Sequence, residues 1–198
     1  SSGIRYAGTY KNLSERRQRY PLSINRNGFR IALLNYTYGT NGIKHLSQYR
    51  KTILKEYHPA RYPKCQARQP DAIIACMHWG EEYQSLPNRE QRELANWLLQ
   101  QGVTHIIGSH PHVIQPMELR TNGTEQHIIV YSLGNFISNM SKANTDGGLI
   151  FTLQLEDILS PTIRPSYTGQ SQTPCQTPNP LPFHTVLVSY CGYNSGLD

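Results

Sequence analysis

Three histidines stand at the ends of two apolar runs. His78 closes the run from Asp71 to Met77, and His110 and His112 follow the run from Val103 to Gly108 across Ser109, with Pro111 between them. Neutral imidazole binds zinc, iron, nickel and similar ions well, so His110 and His112 are candidate ligands to one metal or to two adjacent metals, and His78 is a third. The alternative is that the His-x-His pair hydrogen-bonds backbone at a turn. Proline restricts the residue before it to extended geometry, which predicts two rings on opposite faces that the following turn brings together. The small pair Gly108-Ser109 permits close approach at that point. Glu81 and Glu82 follow Trp79-Gly80 and offer an oxygen ligand, a contact that steadies a ligand, or a general acid or base, with a solvated pair as the alternative. Glu82 is the candidate catalytic residue. Trp79 and Tyr83 either wall the cleft or pack in the core. Asp146 reads as a turn carboxylate, and His45, His58, His127 and His184 as surface or core histidines without partner spacing.

These side chains need particular elements to bring them together. The spacing predicts a strand ending at His78, a helix from about Arg89 to Gln101 and a second strand ending at Gly108. Such a βαβ unit has parallel strands, so both strand ends reach the same edge of the sheet, where open α/β sheets place their ligand sites. Asn88 is a cap and Gln91, three residues on, completes a capping box. Gly102 supplies the C′ position. Upstream, a short helix is expected at Leu13–Arg19, stopped by Pro21. A hairpin through Asn27-Gly28 then joins a strand at Leu22–Ile24 to a buried central strand at Phe29–Tyr36. The segment TYGTNG reads as a loop, and apolar spacings of three and four predict an amphipathic helix from about Ser47 to Tyr57. Downstream, strands are expected at His127–Leu133 and Leu149–Leu155, and an edge strand at His184–Tyr190. The stretch from Ser160 is rich in Pro, Ser, Thr and Gln and predicts an irregular tail over 160–198.

The chain has 198 residues, 37% of them apolar, enough for one domain with a hydrophobic core. Its formal charge of +6 comes from 19 basic and 13 acidic residues. The run Arg16-Arg17-Gln18-Arg19 is the tight basic cluster, and no reading element accompanies it, which argues against nucleic acid as a partner. No apolar run approaches a membrane span, and the first residues carry no signal-peptide core. The first residue is not Met, which predicts a fragment. Four cysteines without metal-knuckle spacing leave the compartment open.

Taken in order, the strings HWGEEY at His78–Tyr83, GSHPHVIQPME at Gly108–Glu118 and YSLGNFI at Tyr131–Ile137, with YAGTY and YPLSINRNGFRIALLNYTYGTNG upstream, resemble the bacterial capsule-synthesis, poly-γ-glutamate CapA-type family, a branch of the calcineurin-like metallophosphoesterases. The likeness covers about residues 3–42 and 71–155; residues 43–70 diverge. It implies an α/β fold, part of a four-layer α/β/β/α sandwich, over residues 1–159. It also implies a two-metal centre of Mn, Fe or Zn with His78, His110 and His112 as ligands. Trp79, Glu81, Tyr83, Ser109, Ser132 and Asn135 then lie in the cleft or behind the ligands. The family's early Asp-x-His, Gly-Asp and Asn-His motifs have no counterpart before His78, so the resemblance implies the C-terminal part of a larger domain, with weak or no hydrolase activity by itself. The implied setting is extracytoplasmic or membrane-associated cell envelope, with an acidic envelope polymer and other capsule-synthesis proteins as partners. The rival reading is a noncatalytic polyanion- or carbohydrate-binding module.

Overall fold

In the computed structural model the described residues are 3–39, 70–123 and 125–155, together with the backbone of Ser189–Asn194. Helix α1 spans Leu13–Arg19. Asn12 caps it by accepting the Glu15 amide, and Tyr20 ends it in extended geometry before Pro21. Strands β1 (Leu22–Arg26) and β2 (Phe29–Thr37) form the expected hairpin. Asn27 and Gly28 both take positive φ, 48° and 86°, the geometry that matches a two-residue turn to the twist of its strands.

Strand β3 (Ala72–His78), helix α2 (Arg89–Gln100) and strand β4 (His105–Ser109) form the expected βαβ unit. β3 runs parallel to β2 on one side and to β4 on the other. Strand β4 starts later than the sequence suggests because Val103 and Thr104 serve the helix end and β3. Val103 is fully buried, and the Thr104 hydroxyl both donates to the Ile73 carbonyl and accepts the Ile73 amide. Strands β5 (Met117–Asn122) and β6 (Glu125–Val130) form a second hairpin, with β6 parallel to β4. The six strands lie in the order β1-β2-β3-β4-β6-β5, with both antiparallel strands at the edges.

Sequence reasoning missed β5. Its strand pattern is hidden by the half-buried charged residues Glu118 and Arg120, and Thr121 and Asn122, exposed and read there as turn residues, end the strand; polar residues of this kind suit an edge. The expected strand at His127–Leu133 is shifted: Tyr131–Leu133 leave the β6 ladder and turn toward β7 (Gly147–Thr152). β7 pairs antiparallel with β8 (Ser189–Asn194), which overlaps the edge strand expected at His184–Tyr190 at Ser189 and Tyr190 and lies within the stretch read as an irregular tail; residues 184–188 fall outside the described residues. The helix expected near Ser47–Tyr57 falls outside the described residues.

The core lies between α2 and the sheet. Ala95 and Leu98 from α2 pack with Leu34, Ala75, Ile106 and Ile129, all fully buried; burying one such leucine contributes roughly 2 kcal/mol. At its start α2 carries the expected capping box: Asn88 accepts the Gln91 amide and the Gln91 side chain accepts the Asn88 amide.

Candidate metal centre

Register sets the geometry of the site. His78 pairs with Thr37 of β2 and Ser109 of β4, so three parallel strands end at one level. The ladder continues one step beyond: the Tyr38 amide donates to the His78 carbonyl at 3.0 Å and the Trp79 amide to the Ser109 carbonyl at 3.1 Å. Tyr38, His78 and His110 thus leave adjacent strands at the carboxyl rim. Gly108 is required just beneath, because a Cβ there would collide with the Tyr131 carbonyl and the Trp79 indole. The absent side chain lets Trp79 Nε1 donate to the Tyr131 carbonyl at 2.9 Å, and Trp79 both packs in the buried core and lines the cleft beside the rim.

The backbone between the histidines differs from expectation. His110 has φ 107° and His112 φ 62°, so the pair is not extended. Pro111 disfavours the helical region for His110, and this residue takes a positive φ in place of the extended geometry expected before proline. Both rings consequently turn toward the same rim. Tyr83, whose amide donates to the Pro111 carbonyl at 2.8 Å, also has positive φ, 66°. Three strained non-glycine residues at one place, each costing of order 1 kcal/mol or more, mark a site over-determined by its surroundings.

The loop carrying the two glutamates is held from behind by buried amides. Gln91 Nε2 donates to Gln115 Oε1 at 3.0 Å, and Gln115 Nε2 donates to the Gln84 carbonyl at 2.9 Å. Gly80, at φ 85°, leaves the space that Gln91 fills. Glu82, exposed at the loop surface, is thereby brought to the histidines: Glu82, His110 and His112 each offer a ligand atom within 4.8 Å of the others. The edge of a tetrahedron of ligands about 2.1 Å from an ion is roughly 3.5 Å, so small side-chain rotations close the set. The donor set suits a divalent ion, one carboxylate and two imidazoles. His78 stands just outside it. Its ring centre is 4.6 Å from that of His110, and it stacks on Tyr38 at 5.7 Å with only 8° between planes.

Electrostatics favour neutral rings. Burial, then the charge of His112, lowers the His78 pKa; burial, then His78, lowers that of His110, with Glu82 opposing. Neutral imidazole is the metal-binding form. His112 is also oriented. Asn135 Nδ2 donates to the Thr145 carbonyl at 3.0 Å, which turns Oδ1 toward His112 Nδ1, also at 3.0 Å. An acceptor there requires the proton on Nδ1, leaving Nε2 free as a donor atom.

The remaining candidates separate. Ser109 is exposed, and Ser132 is buried with its Oγ accepting the Gly134 amide, a turn contact. Glu81 is exposed and lines a cleft of about 330 Å³ beside the rim, together with Tyr38, Asn88 and Leu94. His127 is a structural residue, its Nδ1 donating to the Thr104 carbonyl. Sequence reasoning missed Tyr38, which touches both His78 and His110, the latter at 4.6 Å. The available signal was the end of β2 beside a parallel β3. It also missed Lys142, whose ammonium lies 3.7 Å above the Tyr83 ring.

Comparison with known proteins places this rim in context. The family described as bacterial capsule synthesis protein PGA_cap matches residues 1–140. Capsule biosynthesis protein CapA of Bacillus anthracis is 33% identical over 141 residues, covering 67% of this chain and 33% of that protein. PGA biosynthesis protein CapA of Bacillus subtilis (strain 168) is 40% identical over 84 residues, covering 42% of this chain and 21% of that protein. The matched stretches thus span a third or less of these relatives. Among solved structures, a hypothetical protein from Thermus thermophilus aligns with a TM-score of 0.43 at 11% identity, over 98% of this chain and 64% of that one. On the extent of the family match, this mixed α/β chain belongs to the bacterial capsule synthesis protein family PGA_cap.

Proposed function

We propose that the chain carries the metal-binding rim of a CapA-type protein of capsule or poly-γ-glutamate synthesis, in which Glu82, His110 and His112 hold a divalent cation and His78 stands ready beside them. The observation that carries this reading is the convergence of three ligand atoms at parallel strand ends, one of them on a histidine already oriented by Asn135. Imidazole with carboxylate suits Zn, Fe or Mn. A divalent ion held there supplies Lewis acidity. The chain's own residues supply the rest: Glu82 balances charge, Asn135 holds the His112 tautomer, and Trp79 with the Gln91–Gln115 pair keeps the loop in place. We read the sheet as part of a calcineurin-like metallophosphoesterase sandwich. A two-metal centre needs more ligands than these, so this chain alone hydrolyses weakly or not at all. An acidic envelope polymer and other capsule-synthesis proteins are the proposed partners, in keeping with the charge of +6.

The test is calorimetric titration of metal-free protein with Zn(II) and Mn(II). We expect saturable binding that falls at least a hundredfold in the His110→Ala/His112→Ala double variant. Equal binding by wild type and variant would sink the reading. Binding of an acidic polymer that is undiminished by a chelator would favour the noncatalytic module instead.

A further inference from the structure

Lys142 reaches the rim from a third segment of the chain, and the way it is held bears on what the site accepts. Its ammonium lies 3.7 Å above the centre of the Tyr83 ring. Tyr83 in turn lies against His112, the ring centres 6.0 Å apart and the planes 25° from parallel. The backbone of Lys142 is tied to the same histidine. Buried Thr145 binds the Lys142 carbonyl through its hydroxyl at 2.6 Å and its amide at 3.1 Å. The Thr145 carbonyl then receives the Asn135 amide that faces His112. The root of Lys142 is therefore linked through Thr145 and Asn135 to a candidate ligand, and its side chain is folded over the neighbouring ring.

The tip of that side chain is not so fixed. Lys142 is exposed and, among the described residues, forms no ion pair. An exposed cation–π contact is weak beside a charge-assisted hydrogen bond to an anionic oxygen. An ammonium resting on an aromatic face next to a metal-binding cluster is thus available for exchange onto an arriving anion. Charge supports this use. The Glu82 carboxylate and two neutral imidazoles around a divalent ion leave one net positive charge, and Lys142 adds a second.

We propose that Lys142 is an oxyanion-binding residue of this site, its ammonium leaving the Tyr83 face to meet a negatively charged oxygen of the group held at Glu82, His110 and His112. The proposal rests on the metal-centre reading. It adds a residue to that centre, and a preference for substrates whose reacting group is anionic.

The experiment titrates Mn(II)-loaded protein with inorganic phosphate and, separately, with acetate, using wild type, Lys142→Gln and Lys142→Arg. Removing one charge-assisted contact is expected to weaken binding of the preferred anion about tenfold in Lys142→Gln. Lys142→Arg should stay within about threefold of wild type. Mn(II) affinity and melting temperature should be unchanged in both variants, which separates anion contact from a structural role. Preference for phosphate assigns the group as phosphoryl, and preference for acetate as carboxylate. Mn(II) uptake with anion binding that ignores the Gln substitution, or with no anion binding at all, overturns this proposal alone. Failure of wild type to take up metal overturns the metal-centre reading and this proposal with it.

Discussion

Asn135 acts on the rim without joining the ligand set. It fixes which nitrogen of His112 carries the proton, because its own amide is committed to the Thr145 carbonyl. Residues of this kind typically account for 10- to 100-fold in metal affinity. Asn135→Ala is therefore expected to weaken Zn(II) binding by that range in a calorimetric titration while leaving the melting temperature of metal-free protein within a few degrees. The histidines also make a prediction about pH. His78 and His110 titrate below the ordinary imidazole value in the folded chain. Between that lowered value and about 6.5 the unfolded chain therefore binds more protons. Stability of the metal-free protein should fall as pH drops below about 6.5 and level off once the folded rings also protonate. A melting-temperature profile measured from pH 7.5 to 5 checks this, and replacing His78 and His110 by Asn should flatten that decline. At this scale the sequence was informative where chemistry is local. The His-x-His pair was legible, whereas the partnership of Glu82 with His110 depends on how the loop after β3 meets the loop after β4, and no short-range pattern encodes it.

Elements place these residues through two devices, a missing side chain and a pair of buried amides. Gly108 lets the Trp79 indole cross β4 to reach the Tyr131 carbonyl. Gly108→Ala forces backbone and indole apart, and overpacking of this kind costs about 1–3 kcal/mol; the urea midpoint should fall accordingly. Gln91 serves the start of α2 and the glutamate loop together. Gln91→Leu removes the reciprocal cap and leaves the buried Gln115 carbonyl oxygen without its donor, for a loss of about 2 kcal/mol, measured by the same denaturation. The capping box was legible because its two members lie three residues apart. The contact from Gln91 to Gln115 was not, since it crosses from a helix to a loop after β4. Strand β5 escaped notice for a related reason: edge strands carry polar residues that mimic turns.

Across the whole molecule, the sheet order puts β2, β3 and β4 side by side, and that placement makes a single rim from residues far apart in the sequence. The βαβ unit was legible, including the parallel direction of its strands, although β4 begins at His105 and not at Val103. The expected helix near Ser47–Tyr57 lies beyond the described residues, and β8 overlaps the expected edge strand at Ser189 and Tyr190. Among the described residues no helix is long and apolar enough to cross a membrane. If the rim binds metal in the native state alone, a free-ion concentration 100 times the dissociation constant adds about 2.7 kcal/mol of stability. Melting temperature should therefore rise with Zn(II) and return to its starting value on chelation, with no such rise in the His110→Ala/His112→Ala variant.

The Tyr83 amide donates to the Pro111 carbonyl at 2.8 Å, one residue along from Glu82 and from His110. That bond, with the one from Gln115 to the Gln84 carbonyl, joins the two loops that would share an ion, so its opening accompanies separation of the ligands. Its proton consequently serves as a clock for site assembly. In deuterated solvent, exchange at Tyr83 should slow when metal is present, while amides in the middle of β2 exchange at rates set by global unfolding. The rim can thus be followed by a reporter the chain already contains, without any label or substrate.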